Sequence, residues 1–496
     1  MTSLRSILIL VSTVIAVTFF SSCSSERPFD LVIENGRVID PETAFDDIAN
    51  VGIRDGKILA ITRESLNGTK TIDARGLVVA PGFIDVHSHT PTPLGQELNL
   101  ADGITTQLDL EAGAFPVGAY GEHFAKGAQI NYGASVGHAY IRTQVIAKVD
   151  QSYLLKGFEV NAPEVSAFVQ PATPEQIEQM RELLFKGLDA GGLGVGVLLD
   201  YMTSAVSKDE LSMLFEVAAA RDVPIYVHVR RGIAGDPAGL IEVIEFAEKT
   251  NAPLMVCHIT HNAMGGIEQW LTLIDEANAR GARITTETLS YLAGGTMISA
   301  DVFSRRDWRT IFDIDYGDVQ WVDTGEWLTK EAWDKYAKEK PTGMINHHYV
   351  KDKWLVSALL WPKMMVSTDA LPVFDRTAPS NPNVSGSFAL VLGEFVRERN
   401  VLTLNEALTR MTLNQAQWLE IASPAFAKKG RIQLGMDADI TLFNPDTVQA
   451  NADYGKPYLK STGIDYVIVA GQLVIENGEA INNVFPGQRI LNTRVK

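Results

Sequence analysis

The sequence predicts an α/β protein: a (β/α)8 barrel of the TIM type inserted in a small β-sandwich formed by both chain ends. Three observations carry this prediction. Apolar runs of strand length alternate with helical patterns through the middle of the chain, and the runs number eight. Short β segments divided by turn signals occupy both ends. Four of the nine histidines stand where apolar runs stop, which scattered surface histidines would rarely do. A doubly wound open sheet shares the alternation, and periodicity alone does not separate the two.

At 496 residues the chain has room for one large domain and a smaller one. Its net charge of −17 argues against nucleic acid partners and against a polybasic membrane surface. A small-molecule substrate is the expected partner, and self-association is left open.

Residues 1–22 read as a lipoprotein signal peptide. Arg5 precedes an apolar run from Ile7 to Phe20, followed by Ser21-Ser22-Cys23-Ser24-Ser25. The run is short for a bilayer span but suits a secretory signal. The small residues before Cys23 resemble a bacterial lipoprotein processing site, with Cys23 lipidated. Phe20 replaces the more usual Leu, and an ordinary signal peptide cut nearby is the alternative. The expectation is an exported protein, periplasmic or outer-membrane-anchored, touching a membrane only through its lipid. With Cys257 the sole other cysteine, no internal disulfide is expected.

Residues 23–80 and 430–496 form the expected sandwich. Asn35-Gly36 and Asp55-Gly56 divide the apolar runs of the first part as hairpin signals. Residues 81–429 form the barrel. Its strands begin near Phe83 and Ile104 and continue as 130–138, 194–199, 223–229, 253–260, 282–290 and 364–368. Ser207 with Glu210, and Thr403 with Glu406, have capping-box spacing at helix starts. Residues 295–362 break the rhythm and hold six of eight tryptophans. A long loop between the last two strands covers a barrel's site, or else forms an aromatic surface for internal contacts or a partner.

Barrel chemistry sits at the C-terminal strand ends. His87 and His89 end the first strand, two residues apart, and side chains at i and i+2 share a side. His228 and His258 end two later strands, and His261 follows in a loop as a candidate lining residue. His123, His347 and His348 have no such context and default to surface or loop roles. Asp369 ends the last strand, where a carboxylate can ligate metal and take a proton from water. In the second strand Gln107, Asp109 and Glu111 alternate with Leu108 and Leu110. The polar set is expected to point inward, with Glu111 bridging two metals and Asp109 one layer deeper. A buried structural ion pair is the alternative. The fourth strand has no lysine that could be carboxylated to bridge metals.

These residues, with Gly103-Ile104-Thr105-Thr106, Val136-Gly137-His138-Ala139-Tyr140-Ile141-Arg142, Asp200-Tyr201, Tyr291-Leu292-Ala293-Gly294-Gly295-Thr296 and Gly435-Met436-Asp437-Ala438-Asp439-Ile440, resemble the amidohydrolase superfamily. The likeness is greatest to its N-acyl-D-amino-acid deacylase branch, and it spans most of the chain. It implies His87, His89 and Asp369 around one Zn²⁺ and His228 with His258 around a second, one or two ions being bound. That branch often bridges the ions with cysteine. Ala112 stands at the cysteine's position here, and Glu111 is the substitute. His138, Tyr201 and Tyr291 are substrate contacts by the same resemblance.

Two cations of the branch are missing, with Asn383 and Thr260 in their places; Arg230 or Arg376 would have to compensate. The implied activity is zinc-dependent hydrolysis of an N-acylated amino acid or similar small amide, with Asp369 as the catalytic base. The same machinery acting on a cyclic amide, dipeptide or lactone is the alternative. A non-catalytic relative with the fold alone is a third reading, against which the retained histidines count.

Overall fold

The computed structural model describes residues 27–150, 152, 166–378 and 380–494. The expected signal peptide and Cys23 lie outside the described residues.

Both chain ends build one nine-stranded sheet. The N-terminal part supplies β1 (Phe29–Asp40), β2 (Phe45–Arg54), β3 (Lys57–Thr62), β4 (Gly68–Asp73) and β5 (Val78–Pro81). Asn35 and Asp55 both have positive φ, 62° and 52°, but their roles differ. Asp55-Gly56 turns β2 into β3 as expected, whereas Asn35-Gly36 lies inside β1 as a register shift against β2.

The barrel follows as β6 (Phe83–Asp85), β7 (Ile104–Ala114), β8 (Asn131–Gly137), β9 (Val195–Leu198), β10 (Ile225–His228), β11 (Leu254–Val256) and β12 (Ile284–Leu289). The insertion holds β13 (Gly294–Met297), β14 (Val319–Trp321) and β15 (Met344–His347), and β16 (Met365–Ser367) completes the barrel. The C-terminal part returns to the first sheet with β17 (Ile440–Phe443), β18 (Ile464–Val469), β19 (Gln472–Glu476) and β20 (Glu479–Ala480). Antiparallel pairing of β17 on β5 joins the two chain ends.

The eight barrel strands are parallel and neighbour one another in chain order from β6 to β12, then β16. The ring closes through side chains as well as backbone. Thr368 donates its N–H and hydroxyl to Asp85, at 3.1 and 2.6 Å, and the Asp369 N–H donates to the His87 carbonyl at 2.7 Å. A barrel therefore forms, not an open sheet. On its outer side Val195, Val197, Ile225, Val227, Leu254 and Val256 pack against helix residues such as Leu184, Leu188, Leu211, Leu214, Val243 and Ile274. Burying each such side chain contributes about 1.5–3 kcal/mol before chain entropy is counted.

Of the two helix starts, Thr403 and Glu406 close a reciprocal box. Ser207 caps the helix Lys208–Arg221, but Glu210 does not reach back, because its carboxylate is taken by His138 and Arg142.

The second strand departs from the expected alternation. Leu108 and Leu110 share an apolar cluster with Ile84, Tyr226, Met255 and Met365. Tyr226 lies two residues before His228 on the same face of β10, so this cluster fills the barrel interior. Gln107 instead donates to the Thr90 carbonyl at 2.7 Å, and Asp109 is not one layer deeper in the barrel. The register against β8 then jumps from Asp109 to Ala114. Within this bulge Asp109 accepts from the N–H groups of Ala112 and Gly113, at 3.2 and 2.8 Å, and Gly113 has φ 64°. The bulge aims Glu111 at the strand-end histidines.

The tryptophan-rich insertion is a small unit with its own core. β13, β15 and β14 pair antiparallel, and Phe303, Trp308, Phe312, Trp321, Trp333 and Tyr349 share one cluster. Trp308 and Trp333 stack at 4.6 Å. Trp308, Trp321 and Trp333 make internal contacts, whereas Trp327 is exposed and Trp361 packs with the barrel helices; Gly294, Gly295, Thr296, Val302, His347 and Tyr349 face the cleft.

Candidate metal centre

Five strand ends deliver the site. His87 and His89 follow β6, and their Nε2 atoms lie 3.1 Å apart, as i, i+2 placement requires. Asp369, just past β16 with φ 48°, brings Oδ1 to 3.4 Å from His87 Nε2 and 3.3 Å from His89 Nε2. His228 ends β10. His258 is set by a break: β11 stops at Val256, His258 has φ 32°, and the helix Ile259–Ala263 begins at once. Non-glycine residues pay for such conformations, so Asp369 and His258 hold strain at the site.

Glu111 faces both histidine pairs. Its Oε2 lies 3.2 Å from His87 Nε2 and 3.6 Å from His89 Nε2. Its Oε1 lies 3.0 Å from His228 Nδ1 and 2.8 Å from His258 Nε2. One carboxylate oxygen thus serves each pair.

The donor chemistry suits divalent metal. His87 Nδ1 lies 2.9 Å from Glu287 Oε1, and His89 Nδ1 lies 3.0 Å from Asp109 Oδ2. Carboxylates accept only, so both Nδ1 atoms carry hydrogen and neutral rings turn lone pairs toward each other at Nε2. A metal ion, or a proton on one ring, satisfies the two facing lone pairs. Burial would favour neutral forms, yet Glu111, Asp369 and Asp109 overcome it and hold His87 and His89 well above the usual histidine range. Reciprocally, against the same burial, the histidines hold Glu111 well below the carboxylate range and Asp369 down to about 2. A field that retains protons on buried imidazoles also attracts a metal ion.

Beside His228, His258 and Asp369 a cleft opens to solvent, a setting in which small molecules bind. Tyr201 and His261 line it as expected, and the Tyr201 hydroxyl lies 3.2 Å from Thr296 Oγ1. Burial, reinforced by His258, pushes His261 down to about 3, so its ring is neutral at physiological pH.

Three expected substrate contacts are not brought to the cleft. His138 Nε2 is held by Glu210 at 2.7 Å, beneath the barrel-flanking helices. The Tyr291 hydroxyl donates to the Ala452 carbonyl at 3.0 Å. Arg230 turns away, donating to Thr203 and Val206 carbonyls and pairing with Glu242 at 2.5 Å. Its neighbour Arg231 lines the cleft instead. Arg376 pairs with Glu97 at a distance from the ligands. His347 is buried against the cleft, not on the surface.

Sequence reasoning also missed Glu287, which braces His87 and accepts the His258 N–H, and Asp200, whose Oδ2 lies 3.8 Å from His228 Nε2. A glutamate within the buried strand Ile284–Leu289 was the available signal for the first.

The amidohydrolase family profile matches residues 78–474. N-acyl-D-glutamate deacylase of Alcaligenes xylosoxydans xylosoxydans is 28% identical over 487 residues, covering 90% of this chain and 93% of that protein. D-aminoacylase of the same organism is 26% identical over 493 residues, covering 91% and 95%. Among solved structures, N-acyl-D-glutamate deacylase from Bordetella bronchiseptica, complexed with zinc and a phosphonate inhibitor, superposes with a TM-score of 0.76. It is 25% identical, with 94% of this chain and 100% of that chain covered. A D-aminoacylase crystal structure shares the fold, with a TM-score of 0.77 at 22% identity over the same shares. Given a match across most of its length and a barrel with ligands at the expected strand ends, this chain belongs to the amidohydrolase family.

Proposed function

We propose that the protein is a zinc-dependent hydrolase that cleaves the amide C–N bond of an N-acylated amino acid or a similar small amide. The observation that carries this reading is Glu111, with one oxygen on the His87/His89 side and the other on the His228/His258 side, beside a cleft lined by His228, His258 and Asp369. His87, His89 and Asp369 would hold one ion, His228 and His258 a second, and Glu111 would touch both. Zinc bound there polarises a carbonyl and lowers the pKa of water from about 15.7 toward 7.

The remaining steps belong to side chains. Asp369 stays ionised across the working pH range and is 28% exposed, so its free oxygen can meet solvent and substrate. It accepts the proton of the attacking water, then delivers it to the departing nitrogen as the C–N bond breaks. Glu287 and Asp109 hold the His87 and His89 rings in the tautomer that presents Nε2. The relatives named above, an N-acyl-D-glutamate deacylase and a D-aminoacylase, support the substrate class.

The test is hydrolysis of N-acyl-D- against N-acyl-L-amino acids, a cyclic amide and a lactone, by zinc-loaded and chelator-treated protein. Turnover of an N-acyl-amino acid that chelator abolishes and zinc restores is the expected result. Chelator-resistant turnover, or none of the open-chain amides, would overturn the reading.

The lipoprotein signal supports export and anchoring at Cys23. Labelled fatty acid should enter the wild-type protein and not Cys23→Ser.

A further inference from the structure

Among the described residues that line the cleft, Arg231 is the only lysine or arginine. It is buried, 9% exposed, three residues past His228, and shares the cleft with Asp369. Its guanidinium stands over the Phe312 ring at 5.2 Å, a contact that fixes its plane. Its own hydrogen bonds leave capacity to spare. One terminal nitrogen donates to Asn262 Oδ1 at 2.8 Å, the other lies 3.5 Å from Asp200 Oδ2, and Nε has no partner.

Asp200 is shared: its Oδ1 also accepts from Arg306 at 2.7 Å, so two guanidiniums meet one carboxylate. Arg231 Nε is therefore a buried donor left for a ligand, and native structures seldom leave such a donor unmade without a use.

We propose that Arg231 is the residue that docks a carboxylate carried by the substrate. The inference rests on the amide-hydrolase reading and adds the charge of the substrate to it. A carboxylate accepts from a guanidinium more strongly than a neutral oxygen does, and two acceptor atoms suit the planar donor fork. Arg230 and Arg376, the other candidate cations, are committed to Glu242 and Glu97 away from the cleft. This assigns specificity, not chemistry: Arg231 is a binding residue, and Asp369 handles the proton.

The experiment compares an N-acyl-amino acid with its carboxamide, in wild type, Arg231→Gln and Arg231→Lys, with zinc content measured in each. Wild type should favour the acid. Arg231→Gln should cut the acid-to-carboxamide ratio of kcat/KM at least tenfold, chiefly through KM for the acid, and Arg231→Lys should restore part of it. An unchanged ratio in Arg231→Gln at wild-type zinc content would overturn the proposal.

Should wild type hydrolyse neither compound, the functional reading fails while the docking proposal is still tested. Calorimetry of the zinc-loaded protein with the same two compounds reads binding directly. Tenfold weaker acid binding in Arg231→Gln supports the proposal, and equal binding refutes it.

Discussion

Two buried charge clusters sit at opposite ends of the barrel, and they resolve in different ways. Near the start of β8, Lys429 Nζ lies 2.5 Å from Asp439 and 3.2 Å from Asp437. Asp439 also accepts from Asn131 at 3.0 Å and from the Ala470 N–H at 2.7 Å, and Asp437 pairs with Lys57. Two lysines balance two carboxylates, so the charge of the cluster closes on itself. At the C-terminal strand ends, Glu111 and Asp369 meet four imidazoles whose outer nitrogens are partly committed elsewhere. That cluster pairs its carboxylates with imidazoles, which can also ligate a metal ion, and not with lysine or arginine. A closed cluster is structural; an open one is a site.

Substitutions can break this contrast, and the largest effect is expected at the open end. Asp369→Asn should lower kcat by about 10³-fold at unchanged Tm, the range for removing a positioned acid–base group. Full activity with zinc bound would contradict the assigned role.

Next comes Lys429→Met at the closed end. Leaving Asp439 buried and unpaired should cost about 3 kcal/mol of stability in denaturant unfolding, with activity per folded molecule preserved. An activity loss without a stability loss would erase the distinction between the two ends.

Glu287→Gln should weaken zinc binding about 10- to 100-fold in chelator competition, because His87 loses its orienting carboxylate. Unaltered affinity would show that the tautomer needs no such brace.

The smallest effect is electrostatic and lies on the sheet domain. Glu42 is drawn from its usual 4.5 down to about 2, mainly by its hydrogen bond from Arg431, against partial burial and with help from Gln433. A depressed carboxyl pKa stabilises the fold above about pH 4.5, and the contribution fades as pH falls toward 2. Partial exposure limits it to about 1 kcal/mol. Glu42→Gln should therefore lose stability at pH 7 and match wild type at pH 2. A constant difference across that range would assign the effect to shape, not charge.

Much of the site was legible because its residues announce themselves locally. His87-Ser88-His89 stands two residues past the strand Phe83–Asp85 and its rings still converge, and His228, His258 and Asp369 needed only the rule that barrel chemistry sits at strand ends. Glu111 was reached by a faulty route. Alternation placed Gln107 and Asp109 inside the barrel, whereas Leu108 and Leu110 occupy the interior and a bulge turns Glu111 toward the metal ligands. Simple period-2 reasoning fails where one strand inserts extra residues, because parity changes after the insertion.

Arg230 and Arg231 show the same limit on a finer scale. Past the end of β10 the backbone is no longer a strand, so adjacent arginines diverge, one toward Glu242 and one into the cleft. His138 and Tyr291 were placed at the substrate by resemblance, but their partners, Glu210 and Ala452, are distant in the chain.

By itself the sequence pointed to a barrel of eight strands, a β domain shared by the two ends, and histidines and an aspartate at strand ends. These follow from periodicity, turn chemistry and residue type, readable within a few positions, whereas Glu111 beside the cysteine position of the relatives came from the family resemblance. Only the tertiary structure decided which oxygen of Glu111 faces which histidine pair, that Glu287 braces His87, and that Trp308, Trp321 and Trp333 form a core while Tyr349 and His347 meet the cleft. Those depend on contacts between residues up to two hundred positions apart, where a bulge or a left-handed residue redirects a side chain without altering the pattern along the chain.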